Sequence, residues 1–307
     1  MSFRNIVFVS TGLLNDQDAL KSALTLASRS NSNLSIILLL PGLPDNLEQY
    51  AEQFMHGFID ECQSMVDKVK SSMDFKGDIT ITTMDNKRPA LSIIKAIIRH
   101  KFDLVVKQVE ASSHNKGFKA LDMDLLRKCP CPLMLCREKH QLTNAKLAVA
   151  IDPESEDDAG NQLSQKLLTS TQDLLSTDSG RYELISCWDF TLESSLNHGT
   201  WLSLSAQELQ AEKNNAQKNH FSKLKKIVDD AEQGDHANIH HIEGLPFEAI
   251  PNFVANENID LLVMGTVART GIAGFIIGNT AENILQSLEC SLLAMKPDGF
   301  VCPVDKD

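Results

Sequence analysis

Asp260-Leu-Leu-Val-Met-Gly-Thr-Val-Ala-Arg-Thr-Gly-Ile-Ala-Gly-Phe-Ile-Ile-Gly-Asn-Thr-Ala-Glu282 decides how the rest of this chain is read. Its first residues form a short apolar run of the length and Leu/Val content of a buried strand, and Gly265 ends it. A glycine-bearing loop with one positive charge, Arg269, follows, and Gly278-Asn279-Thr280 then opens a helix. Strand, loop and helix start in that order present backbone N–H groups to an anion. The ligand chemistry that suits the stretch is a phosphate-bearing small molecule.

Outward from it, the same alternation fills the chain. The first half predicts strand Asn5–Ser10, helix Gln17–Arg29, strand Asn33–Leu40, a long helix Asp45–Ser72, strand Asp78–Thr83, helix Pro89–His100, strand Asp103–Val106, helix Met123–Lys128 and strand Leu133–Arg137. The second half predicts strand Ala145–Asp152, helix Ser155–Ser176, strand Tyr182–Trp188, helix Ser203–Gln233, strand Asn238–Glu243, helix Phe247–Glu257, strand Ile259–Met264 and strand Leu292–Lys296. Strands alternating with helices imply parallel βαβ units, and continuously apolar strands imply a sheet covered on both faces.

The halves also repeat locally. Phe102-Asp-Leu-Val-Val106 matches Ile259-Asp-Leu-Leu-Val263, and Cys131-Pro-Leu-Met-Leu-Cys-Arg137 matches Cys290-Ser-Leu-Leu-Ala-Met-Lys296. The expected division is a first domain at 1–138 and a second at 145–302, with the polar segment Glu138–Asn144 between them. A length of 307 residues fits two units of about 150 each. The last strand of each half is an apolar edge and the natural partner of its twin.

Composition narrows the function. Hydrophobic residues make up 42% and charged residues 23%, as in an ordinary globular chain. A net charge of −12 opposes nucleic acid and anionic membrane as partners, since both require clustered Lys and Arg. No stretch reaches the roughly 18 apolar residues of a membrane span. Only Arg4 is basic before the apolar run Ile6–Leu14, and Asn15, Asp16, Gln17 and Asp18 follow where a cleavage site would need small residues, so no export signal is read. Seven scattered cysteines then fit a reduced, cytoplasmic chain better than a disulfide framework.

Asp260-Leu-Leu-Val-Met-Gly-Thr, Arg269-Thr-Gly271 and Gly278-Asn-Thr-Ala-Glu282 resemble the C-terminal half of a universal stress protein domain, and the duplication resembles the tandem, E-type members of that family. The resemblance implies two doubly wound, Rossmann-like α/β domains of the adenine nucleotide alpha hydrolase-like type, paired through their last strands as an intramolecular pseudo-dimer. Whether two chains associate further is left open. It implies a non-enzymatic role in stress response or regulation through a small ligand, with an adenine-nucleotide switch, ATP or AMP in the second half, as the alternative and slow ATP hydrolysis as a weaker one.

ATP-binding members resemble one another in a Gly-x2-Gly-x9-Gly-(Ser/Thr) pattern. Here those positions hold Gly265, Ala268, Gly278 and Asn279, so two of four depart. Ala268 adds a Cβ where backbone would approach phosphate, whereas Asn279 and Thr280 keep polar donors. The acidic residue that the family sets against the nucleoside corresponds to Asp152. The full candidate set is Asp152, Met264, Gly265, Ala268, Arg269, Gly271, Gly278, Asn279 and Thr280. Simpler roles stand beside these: a helix cap for Asp152, turn chemistry for Gly265 and Gly278, and a solvated charge for Arg269.

The matching stretch of the first half, Lys107–Leu121, lacks the glycines and brings Glu110 near the anion position, so no phosphate site of this type is expected in 1–138, where a structural role or an apolar ligand is the expectation. No metal is expected either. Cys129, Cys131 and Cys136 do not have Cys-x2-Cys spacing, and His236 and His240 share a strand face without a third ligand. The nucleophile elbow, the Walker phosphate loop and His-Glu-x2-His are absent, so nothing requires catalysis. The helix around Ser203–Gln233 reads as a solvated outer helix with one apolar stripe.

Overall fold

The computed structural model describes residues 3–12, 16–85, 87–110, 116–138, 142–154, 158–175, 180–190, 205–266 and 277–304. The first half runs β1 (Asn5–Ser10), α1 (Gln17–Ser30), β2 (Asn33–Leu40), a 3-10 turn Asp45–Tyr50 into α2 (Ala51–Ser72), β3 (Ile79–Asp85), α3 (Pro89–His100), β4 (Leu104–Gln108), α4 (Ala120–Lys128) and β5 (Leu133–Cys136). The second runs β6 (Leu147–Ala150), α5 (Asp158–Leu174), β7 (Tyr182–Trp188), α6 (Ala206–Asp230), β8 (Ala237–Glu243), α7 (Pro246–Asn256), β9 (Leu261–Gly265), α8 (Asn279–Ser287) and β10 (Ser291–Met295).

Local chemistry sets the boundaries. Asn31 and Lys101 take left-handed backbone angles, φ 49° and 54°, just past α1 and α3. Pro89 and Pro246 occupy first turns, where their missing N–H costs nothing. The Ser205 hydroxyl accepts from the Glu208 N–H while the Glu208 carboxylate accepts from the Ser205 N–H, and this capping box starts α6 at Ala206, three residues after the expected Ser203. The helix expected over Asp45–Ser72 is split, because its buried residues Cys62, Met65, Val66 and Val69 all lie in the C-terminal part. Conversely, α4 begins three residues before Met123, since Leu121 joins Leu125 and Leu126 in its buried stripe.

The ten strands form one sheet in the order β3-β2-β1-β4-β5-β10-β9-β6-β7-β8. Each half is parallel with the same internal order, and the halves meet where β5 and β10 pair antiparallel, Met134 opposite Leu293 and flanked by Leu135–Leu292 and Leu133–Ala294. The fold is therefore two tandem doubly wound α/β units joined as a pseudo-dimer. Alternation along the strands divides the core between the faces. Ile6, Phe8, Leu147 and Val149 pack with α1, α2, α5 and α6, while Val7, Val9, Ala148 and Leu262 pack with α3, α4, α7 and α8.

Repeat-equivalent residues do equivalent work. The Asp103 carboxylate accepts from the N–H groups of Arg4 (2.7 Å) and Asn5 (3.0 Å), and Asp260 accepts from the Lys146 N–H (2.8 Å). The aspartate of each Asp-Leu pair thus pins the start of the neighbouring strand. At the seam, Arg137 donates to the carbonyls of Leu288 (2.7 Å), Gly117 (2.8 Å) and Cys290 (3.1 Å), and Lys296, its counterpart, donates to the Cys129 carbonyl (2.8 Å). Each half thereby places a cation at the C-terminus of the other half's last helix. Lys116–Glu289 (2.5 Å) and Arg127–Glu282 (2.6 Å) add ion pairs across the join.

Candidate functional site

Strand order reverses between β6 and β9. The connection leaving β6 crosses to the face of α5 and that leaving β9 to the face of α8, so a crevice opens beyond their carboxyl ends. A cavity of about 550 Å³ lies there, lined by Ala150, Ile151 and Asp152 after β6, Met264 and Gly265 at the end of β9, and Gly278, Asn279, Thr280 and Ala281 at the start of α8. Six of the expected site residues, Asp152, Met264, Gly265, Gly278, Asn279 and Thr280, therefore share one cavity. Ala268, Arg269 and Gly271 lie outside the described residues.

Each wall has a local cause. Gly265 leaves room for α5: a Cβ there would stand 2.9 Å from Leu163 Cδ2. Gly278 is held by its N–H to the Thr266 carbonyl (3.2 Å), and its own carbonyl accepts from the Glu282 N–H (2.9 Å), which starts α8 without a side-chain cap. The first-turn N–H groups of α8 have no intrahelical acceptor and carry the positive end of the helix dipole. Asp152 is exposed to the cavity, and its Oδ1 accepts from the Glu154 N–H (3.0 Å), an Asx turn that uses part of the carboxylate. Burial pushes the Cys187 thiol up to about 11, reinforced by the charge of Asp152, so this thiol stays neutral at ordinary pH.

Sequence reasoning named the β9–α8 stretch and Asp152 but missed the opposite wall, formed by Ala159, Gly160, Leu163, Ser164 and Leu167 on α5, Cys187, Pro246, Ile250 and Pro297. The small residues Ala159, Gly160 and Ser164 on one helix were the available signal.

Among the described residues, the first half sets an ion pair in the equivalent place. By repeat register Lys107 stands where Met264 does, and Asp122 where Ala281 does. The Lys107 Nζ donates to Asp122 Oδ1 (2.8 Å) and to the Gln108 carbonyl (2.8 Å), and Asp122 Oδ2 accepts from the Glu110 N–H (3.2 Å). Side-chain exposures of 1% and 0% make this an internal ion pair. Gly12, at φ 74° beyond β1, lies directly under the Phe58 ring of α2. Asp16 accepts from the Ser10 hydroxyl and the Thr11 N–H, both 2.8 Å, yet burial dominates and raises its carboxyl above the usual range. Lys116, in the same stretch, pairs with Glu289 of the other half.

His240 and His241 on β8, and His236 just before it, are committed. His240 bonds Glu183 (2.6 Å), His236 the Gly180 carbonyl (3.1 Å), and His241 the buried His220 of α6 (2.9 Å), whose rings stack with Trp188 nearby. The His220–His241 contact was not foreseen, because α6 was read only for its apolar stripe.

Comparison with known proteins adds to this geometry. Residues 144–296 match the Universal stress protein family. The chain is 31% identical over 245 residues to universal stress protein E of Photorhabdus laumondii, covering 74% of this chain and 72% of that one. Among solved structures it is similar to a functionally unknown protein of Pseudomonas aeruginosa at TM-score 0.71 and 21% identity, covering 97% and 94% of the two chains. A universal stress protein of Archaeoglobus fulgidus superposes at TM-score 0.62 and 12% identity over 96% and 99%. No described helix is long and apolar enough to cross a membrane.

Proposed function

This chain belongs to the universal stress protein family, and from that premise we propose that it is a non-enzymatic module of the stress response that works by holding a small ligand in its second half. The observation that carries the reading is the asymmetry of the two crevices: an open cavity of about 550 Å³ beyond β6 and β9, and an internal ion pair, Lys107–Asp122, in the equivalent place of the first half. The ligand class is a phosphate-bearing adenine nucleotide, ATP or AMP. Its phosphate end faces the first turn of α8 at Gly278, Asn279 and Thr280, and its nucleoside end faces Asp152, a carboxylate at the carboxyl edge of the parallel strand β6 that suits a ribose or base edge. Gly265 keeps the cavity floor low, and Ala268, Arg269 and Gly271, outside the described residues, belong to the proposed ligand-binding set.

The domain division that goes with this function is 1–138 and 145–302, the first serving as a structural partner. The protein acts in the cytoplasm, and the pseudo-dimer leaves any association of two chains secondary. Titration of the intact protein with a fluorescent ATP analogue tests the reading. Saturable binding below about millimolar, the weak end of specific affinities, with loss on Asp152→Ala, supports it; an unsaturated, linear signal contradicts it. Phosphate release at the buffer rate in the presence of bound ATP is expected, and turnover sensitive to Asp152→Ala would instead favour the slow hydrolase.

A further inference from the structure

We propose that Cys129 and Cys131 form a reversible thiol–disulfide pair at the seam of the sheet, oxidised by small disulfides of the glutathione class. The residues Cys129-Pro130-Cys131 end α4 and lead into β5, and the two sulfurs lie 3.7 Å apart. Cys129 is buried and Cys131 only partly so, which makes Cys131 the thiol of the pair that a small solute reaches first. The backbone of Cys129, φ −62° and ψ 127°, is the extended form favoured before proline, and closing the bridge needs the sulfurs to approach to about 2.05 Å. Proximity separates this pair from the cysteines in the core. Cys136 and Cys290, the latter the repeat equivalent of Cys131, are buried without a bonded thiol, and burial drives each up to about 12.

The surroundings favour a single thiolate shared by the pair. The hydrogen bond between the sulfurs, against the opposing effect of burial, holds Cys129 below the ordinary thiol range, helped by the charge of Lys296, whose Nζ donates to the Cys129 carbonyl (2.8 Å). The two thiols titrate as a unit: the first proton lost leaves the thiolate on Cys129, while the bond between the sulfurs and burial hold Cys131 above the ordinary range, and passing the shared proton from Cys131 to Cys129 puts the thiolate on Cys131, the less buried of the two. Cys131 then attacks one sulfur of the small disulfide; that S–S bond breaks, and one small thiol leaves after taking a proton. Cys129 gives up its proton and attacks the Cys131 sulfur, the mixed disulfide breaks, and the second small thiol leaves with that proton. In sum two protein thiols are oxidised, and one small disulfide is reduced to two thiols. A bridge across a single intervening residue is strained and therefore readily reduced again. Because the Cys129 carbonyl is held by Lys296, the exchange bears directly on the contact that joins the halves.

The test equilibrates the intact protein with excess oxidised glutathione, alkylates remaining thiols and maps the peptides by mass spectrometry. The expected result is a Cys129–Cys131 disulfide formed in the native protein, reversed by reduced glutathione, with Cys302 still alkylated. Cys129→Ser is expected to accumulate a glutathione adduct on Cys131, and Cys131→Ser neither adduct nor bridge. A native protein that keeps both thiols reduced, a bridge that forms only after denaturation, or one joining Cys131 to Cys302, whose thiol donates to the Lys128 carbonyl at 3.2 Å, overturns the proposal. Because wild-type mapping decides these outcomes, a variant that fails to fold does not blunt the test.

Discussion

Lys107 and Asp122 show at the scale of single residues how the two copies of a duplicated crevice differ. Two charges removed from water stabilise only while paired, so losing one partner leaves an uncompensated buried charge. Lys107→Met alone is expected to destabilise the protein by about 3–5 kcal/mol, measured by urea unfolding. The double change Lys107→Met with Asp122→Ala, which installs the second half's own residues, is expected to recover most of that loss; no recovery would show that the pair does more than neutralise itself. The sequence displayed both residues, but the reading gave Lys107 to the loop and overlooked Asp122. Their meeting depends on the register of β4 against α4, which local pattern does not encode. His220 is a second residue whose partner lies in another element. Burial holds its imidazole below the ordinary value of 6.5, with Glu154 and Asp152 opposing. The folded ring therefore binds a proton less readily than the unfolded one, and its contribution is complete above about 6.5 and lost as pH falls below that value. The melting temperature is expected to drop between pH 7 and 5, and His220→Phe to reduce that drop; an unchanged pH profile in the variant would remove His220 as its source.

At the scale of elements, the strand-to-helix passage from β9 to α8 was the most legible part of the site. Asp260 through Gly265 gave the strand, and Gly278-Asn279-Thr280 gave the helix start, because both are local signals. The wall that α5 supplies was not legible, since which helix covers a strand end is decided by the handedness of the crossover and by close approach. Gly265 records that approach: a side chain there would collide with Leu163 at 2.9 Å from the first added carbon. Gly265→Val is expected to fill the cavity floor, to cost about 1–3 kcal/mol through overpacking, and to weaken nucleotide binding at least tenfold by fluorescence titration. Binding of wild-type strength in a folded Gly265→Val protein would place the ligand elsewhere.

Across the whole molecule, the duplication was readable because Phe102–Val106 and Ile259–Val263, and Cys131–Arg137 and Cys290–Lys296, repeat in order. The antiparallel pairing of β5 with β10 followed from the apolar edge each half would otherwise expose. The reciprocal placement of Arg137 and Lys296 on the opposite half's carbonyls did not follow, since nothing local marks a cation for a distant helix end. With Met134 and Leu293 buried at the centre of that junction, the halves are expected to unfold in one calorimetric transition. Leu293→Asp, which buries a charge there, is expected to abolish folding or split the transition in two.

Isothermal titration of the intact chain with ATP, read for stoichiometry, probes the asymmetry of the two crevices most directly. One site per chain is predicted, lost on Gly265→Val and retained after Lys107→Met with Asp122→Ala. Two equivalent sites per chain, or one that survives Gly265→Val in a folded protein, would contradict it.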